Sequence, residues 1–289
     1  MKRHQLVYYR SYPLKFQSVF IIFNILLVIF LAILCLSPAI FLGSQVLPVF
    51  WKSNWYLFLI LVFILAGFDG FYFTNRKLYT LLEKEDWPAL VNYLEERVIR
   101  QGKYSPRLVR LLANTYFILS DSAAVMSLEN KAASAKPSLV DNNALVFGTA
   151  RILGRDISGA IRFFETRRNR VKPSLRPWVC WYYGFALLLD KQYEKASQEF
   201  IGLAKTCRDG VITGLSAYFL GNTLKNSIPQ ADPALEAAAN EGLERVRKVL
   251  PSRKDWTKET ARINAEIHTA VLSKYMEETG QWLYKEKGK

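Results

Sequence analysis

A chain of 289 residues that is 51% hydrophobic, with a mean hydropathy of +0.04, carries more apolar residues than a purely water-soluble domain needs, and the excess sits in the first 73 residues. This composition excludes a disordered chain and leaves about 215 residues for one extended domain with a continuous core. The net charge of +14 divides into +4 over residues 1–75 and +10 over the rest, so a basic domain is expected, drawn to anionic headgroups or acidic partners. Three cysteines (Cys35, Cys180, Cys207) make no CxxC and no paired framework, which fits a reducing compartment and yields neither a disulfide scaffold nor a metal site.

Val19 to Leu36 is an uncharged run of eighteen residues whose polar member is Asn24, close to the ~20 that cross hydrocarbon as a helix. A second run, Trp55 to Phe68, reaches spanning length by including Asp69 and Gly70 up to Phe73, with Trp51, Trp55 and Tyr72 as interfacial anchors. Asp69 then falls near the headgroup boundary. Lys2, Arg3, Arg10 and Lys15 precede the first run, Lys52 lies in the connection, and Arg76, Lys77 and Lys84 follow the second. The basic bias predicts a transmembrane hairpin with both termini on the cytoplasmic side, read as that of a bacterial inner membrane. Ser37-Pro38-Ala39 has the small-residue spacing of a signal-peptidase site, but the apolar run is too long and a second one follows, so a retained anchor is expected.

Past the hairpin, Leu90, Val125, Ala160 and Ala196 stand 35, 35 and 36 residues apart, and Ala239 follows 43 later. A period in the thirties indicates stacked two-helix units, each too small to bury its own apolar face. Ala160 and Ala196 are each followed four residues on by an aromatic, Phe164 and Phe200, and preceded by twelve residues by a glycine, Gly148 and Gly184. Residues i and i+4 share a helix face, so the small residue permits close approach and the aromatic fills the space beside it.

On these residues the chain resembles the tetratricopeptide repeat (TPR) family. The unit from Pro177 carries Gly184, Tyr193, Ala196 and Phe200, and the unit from Asp141 carries Gly148, Ile157, Ala160 and Phe164. The unit from Pro106 keeps Ala113, Ala132 and Pro137 but has Val125 and Glu129 at the alanine and aromatic places. A fourth has Gly221, Ala239, Leu243 and Pro251 around a six-residue insertion within Asn226–Pro233, and a weaker unit with Trp87, Leu90, Leu94 and Gly102 precedes them all. The resemblance implies an all-α fold: two transmembrane helices, then an α-solenoid of TPR-like pairs with a C-terminal capping helix. The expected organisation is 1–15 basic tail, 16–73 hairpin, 74–251 repeats and 252–289 cap and tail. Ser252 to Asp255 reads as a capping-box start, and Ile263, Ile267 and Val271 fall along one face of the final helix.

The resemblance further implies a partner-binding groove lined by the first helix of each pair. By alignment this comprises Arg107, Arg110 and Asn114, then Asn142 and Thr149, then Trp178, Trp181 and Phe185, and finally Tyr218, Asn222 and Lys225: an aromatic middle between polar, basic ends. Outside the groove, Arg162, Arg167, Arg168, Arg170, Lys172 and Arg176 form the densest basic stretch, a candidate patch for headgroups or an acidic partner. Nucleic acid is disfavoured because no aromatics interleave with those charges. No nucleotide loop, metal-ligand pair or cofactor motif is present, and His4 and His268 are remote from each other and from any cysteine. The expected function is therefore non-catalytic: a membrane-anchored scaffold holding a protein partner at the cytoplasmic surface, with self-association or a structural role in a larger envelope assembly as the alternative. An enzyme with an unrecognised site is the reading from another class.

Overall fold

The computed structural model describes residues 16–43, 45, 47–228, 233–263 and 267–285, and all regular structure among them is helical. The basic tail with Lys2, Arg3, Arg10, Lys15 and His4, and part of the insertion before Pro233, lie outside these residues. The chain divides into two compact units, residues 1–93 and 94–289.

In the first unit α1 (Phe16–Leu42) and α2 (Leu47–Glu83) pack side by side. Phe20 stacks on Tyr72 with ring centroids 3.7 Å apart, and Phe23 meets Phe68 at 5.6 Å. Trp51 donates its indole N–H to the Cys35 carbonyl at 3.2 Å, tying the connection end of the pair. Asn24 donates to the Phe20 carbonyl one turn back, so the polar residue of the first apolar run is satisfied inside its own helix. Ser18–Phe41 is long and apolar enough to cross a membrane, and no residue of its apolar eighteen-residue window is buried in the protein. The second run qualifies only when two limbs, Pro48–Leu57 and Val62–Glu83, bent by 41°, are counted as one span. The 41° bend falls between Leu57 and Val62, and within the first limb Asn54, with φ of −122° and ψ of 24°, also leaves the helical region. The first expected run is thus one helix long and apolar enough to span, whereas the second is a bent helix that reaches that length only when its two limbs are counted together.

The second unit begins within α3 (Trp87–Glu95), which widens into a π-helical turn at Glu96–Arg100. It continues with α4 (Pro106–Ile118), α5 (Ser122–Ala135), the short α6 (Ser138–Asn142), α7 (Ala144–Leu153), α8 (Ile157–Arg167), α9 (Arg176–Leu189), α10 (Tyr193–Thr206) and α11 (Gly210–Tyr218). A π-helical turn at Phe219–Leu224 extends α11; α12 (Lys225–Ser227), α13 (Pro233–Val249), α14 (Arg253–Ile263), a 3-10 turn (Ile267–Leu272) and α15 (Ser273–Leu283) complete it. From α7 to α11 each helix packs on the next in sequence, α4 packs on α5, and α11 packs on α13.

Four helix-to-helix turns are backbone copies of one another. Glu85, Ser120, Arg155 and Lys191 have φ between 52° and 61° and stand 35, 35 and 36 residues apart. In each turn the amide of this left-handed residue bonds to the carbonyl three residues back, and the next amide reaches five back, to Leu81, Tyr116, Arg151 and Leu187. This is a Schellman closure with a side chain where glycine is usual. Asp86, Asp121 and Asp156 follow the first three, and their carboxylates accept the amides of Ala89, Ala124 and Gly159, starting the second helix. Each turn thus ends one helix, the first three also cap its partner, and all four left-handed residues stand five before a fully buried one: Leu90, Val125, Ala160 and Ala196.

The close approach within each pair depends on missing side-chain volume. A Cβ on Gly148 would sit inside the Phe164 ring, and one on Gly184 would lie 3.1 Å from the Phe200 ring. Glu129 stands at the corresponding place opposite Ala113, and its carboxylate is instead bound by Arg151 of α7.

The C-terminal region departs from expectation. In place of one capping helix through 252–289, the chain forms α14, breaks after Ile263, and returns as the 3-10 turn and α15. The capping box does form: the Asp255 amide donates to Ser252 Oγ and the Ser252 amide to Asp255 Oδ2, each at 3.2 Å. The reversal lets Trp256 settle over Gly214 and Gly280 and donate its indole N–H to the Met276 carbonyl at 2.9 Å. A straight helix would leave that N–H without this acceptor. Val271 is half-buried within the 3-10 turn, not on a continuous face with Ile263.

Gly148→Ala is expected to destabilise the protein by about 1–3 kcal/mol, because Phe164 is fully enclosed and has no room to yield. Gly202→Ala, at a helical site with open space around it, is expected to be neutral or stabilising by up to about 1 kcal/mol. Thermal melts of the two variants followed by circular dichroism check the contrast.

Candidate functional site

The predicted groove residues fall on α4, α6, α7, α9, α11 with its extension, and α12, and the structure separates them into open ends and a covered middle. At one open end Arg107 and Arg110 are exposed. Arg110 donates to the Asn142 carbonyl at 3.3 Å and to Asn143 Oδ1 at 3.4 Å. Asn114, one turn further along α4, is half-buried with its Oδ1 enclosed and unpartnered. Asn142 is half-buried and bonds back to the Ser138 carbonyl. At the other end Asn222 and Lys225 are exposed, and Lys225 pairs with Glu236 at 3.2 Å.

The aromatic middle is interior, which corrects the expectation of an exposed anchoring surface. Trp181 is 0% exposed, Phe185 3%, Tyr218 7% and Thr149 0%, and only Trp178 is half-buried. Thr149 spends its hydroxyl on the Leu145 carbonyl of its own helix. Trp181 stacks on Phe185 at 5.3 Å and touches the rings of Phe200 and Phe219, so it belongs to the packing between helix pairs. Over this cluster lies the chain's own C-terminal segment. Tyr275 of α15 packs against Phe185 at 5.7 Å and Phe219 at 5.2 Å, Trp282 meets Tyr218 at 6.0 Å, and the 3-10 turn packs on α7. Tyr218 donates to Glu278 at 3.0 Å and accepts from Asn222. Burial first, and the bond to Glu278 second, push the Tyr218 phenol above its ordinary pKa, so it stays a neutral donor well into alkaline solution.

Two polar atoms in this region have no partner: the Trp181 indole N–H on α9 and the Thr279 hydroxyl on α15. Each costs about 1–3 kcal/mol relative to a satisfied group. Sequence periodicity places Arg107 and Trp181 on helices, α4 and α9, but carries no signal for a helix packing back from roughly a hundred residues downstream.

The basic stretch is likewise largely committed within the protein. Arg167 pairs with Asp141 at 2.6 Å and lies over the Phe163 ring, and Arg168 pairs with Glu199 at 2.7 Å and lies over Tyr183. Arg176 donates to Asn169 at 2.9 Å, and Arg170 approaches Asp141 at 3.9 Å. Arg162 and Lys172 are exposed. Four of the six patch residues thus interact with acids or an amide of the same chain, and the stretch stitches neighbouring helices together. The enclosed pair Arg151–Glu129, with Arg151 over the other side of Phe163 from α7, belongs to the same system and was not singled out by the sequence.

Burial pushes the Cys180 and Cys207 thiols up, so neither is an activated nucleophile.

Trp181→Ala is expected to cost about 3–5 kcal/mol of stability as a large core truncation. Calorimetric melting should therefore show loss of fold, with any loss of binding accompanying it.

A protein from Treponema pallidum (strain Nichols), described as an uncharacterized protein, is 28% identical to this chain over 286 residues, covering 96% of this chain and 90% of the relative. The chain belongs to the family described as Uncharacterised Treponema protein, whose model matches residues 124–285, from within α5 to the end of α15.

Proposed function

We propose that this protein is a membrane-anchored, TPR-like scaffold: two spanning helices hold an α-solenoid of helix pairs at the cytoplasmic face of a bilayer, where it binds a protein partner. The observation that carries this reading is the turn repeated at Glu85, Ser120, Arg155 and Lys191, which has the period and helix-pair unit of that architecture. The small-against-aromatic seats Gly148–Phe164 and Gly184–Phe200 support it further. The anchor reading rests on the exposed apolar surface of α1 and on the basic residues before it; the bent α2 is read as the returning span. With the aromatic middle covered, the two ends of the first-helix face remain accessible, and at the α4 end Arg107 and Arg110 suit an acidic stretch of a partner.

A structural role in a larger assembly is favoured by one observation. Ile118, Leu153 and Leu189, each two residues before a left-handed turn position, are 37%, 48% and 41% exposed, an aliphatic row suited to packing against other subunits.

Two spans place the C-terminus inside, whereas one span after an interior N-terminus places it outside. A cytoplasmic reporter fused after Lys289 is expected to be active and alkaline phosphatase at the same point inactive; the reverse result removes the returning span. Affinity purification from mild detergent should recover a stoichiometric partner, and Arg107→Glu should weaken its capture on the order of tenfold with the melting temperature unchanged. Capture that is indifferent to Arg107→Glu moves the binding surface away from α4.

A further inference from the structure

The face formed by α9, α11 and the π-helical extension is shaped to receive a helix, and the helix it holds is the chain's own terminal one. Tyr275 lies against Phe185 and Phe219, and Trp282 lies on Tyr218 with its ring 3.0 Å from where a Gly221 Cβ would be. Met276, Thr279, Gly280 and Leu283 point inward, while Lys274, Glu277 and Gln281 are exposed. The fit is incomplete in its polar groups. The Thr279 hydroxyl is wholly buried without a partner, and beneath the aromatic layer the Trp181 indole N–H is buried without one as well. A helix serving only to fill this face would carry alanine or valine at position 279, since burying an unpaired hydroxyl weakens docking. Two of its polar ties, Tyr218 to Glu278 and Arg247 to the Leu283 carbonyl, are part-buried, where water can replace them; release also has to break the buried bond from the Trp256 indole N–H to the Met276 carbonyl.

We propose that α15 is a releasable cis occupant of this face, and that the face, once vacated, takes an amphipathic helix from another protein with an aromatic and apolar side like that of Tyr275, Met276, Gly280 and Leu283 and no hydroxyl at the place of Thr279. This rests on the binding reading above and adds regulation of the site: the terminal helix competes with the partner helix, so occupancy depends on their relative affinities.

Hydrogen exchange of the full chain in detergent tests release directly. Amides of residues 273–283 should exchange roughly 100-fold or more faster than those of α9 and α11, Thr279→Val should narrow the gap by about tenfold, and Tyr275→Ala should widen it. A labelled synthetic peptide of residues 269–285 carrying Thr279→Val should bind the Tyr275→Ala protein at least ~10-fold more tightly than the unaltered protein. The proposal is overturned if residues 273–283 exchange as slowly as α9 in the unaltered protein, or if the peptide fails to bind a Tyr275→Ala protein whose α9 and α11 amides remain protected. Should Tyr275→Ala not fold, the unaltered and Thr279→Val proteins decide release by themselves. Failure to capture a partner from detergent extracts, with the exchange gap intact, counts against the scaffold reading alone.

Discussion

The seating of an aromatic ring where a glycine has no side chain is the contact on which the second unit depends. Phe164 and Phe200 are fully buried against Gly148 and Gly184, so the two helices of a pair can approach within the thickness of a ring. Such contacts leave no slack: a single methyl group would have to displace enclosed aromatic atoms. The left-handed turns at Arg155 and Lys191 make the arrangement reproducible by fixing where the first helix stops and the second starts. Where the seat is absent, at Ala113 and Glu129, the pair turns to charge, and Arg151 reaches over from the next pair to bind the carboxylate.

That substitution introduces a second level of cohesion. Arg151–Glu129, Arg167–Asp141 and Arg168–Glu199 link α7 to α5, α8 to α6 and α8 to α10, and Phe163 is held between Arg151 and Arg167. Enclosed ion pairs contribute modest net stability because desolvation offsets attraction, but leaving one member unpaired is costly, so they enforce which helices neighbour which. A sequence rich in arginine over a dozen residues is therefore compatible with a surface that offers little free charge.

The terminal helix changes how the first-helix face should be understood. In an open array the aromatic row of α9 would meet solvent or a partner; here Tyr275 and Trp282 meet it first. Trp256 is central to that geometry, since it bridges Gly214 of α11 and Gly280 of α15 and bonds to the Met276 carbonyl. The family match extends through this helix to residue 285, so it is part of the shared unit and not an appended tail.

Local signals made much of this legible from the sequence. The 35-residue spacing and the glycine twelve residues before Ala160 and Ala196 are short-range patterns, and helix periods and pair contacts follow from short-range geometry. The apolar run of α1 is legible for the same reason, since hydrocarbon thickness sets its length. Exposure was not legible. Whether Trp181 faces solvent depends on α15, roughly a hundred residues away, and whether Arg168 is free depends on Glu199, thirty-one residues on. The bend in α2 between Leu57 and Val62 likewise has no proline or glycine to announce it. Helix-pair identity is determined within a window of one repeat, whereas burial and charge pairing are decided by which distant segments come to lie on one another, and that is the contribution of the tertiary structure.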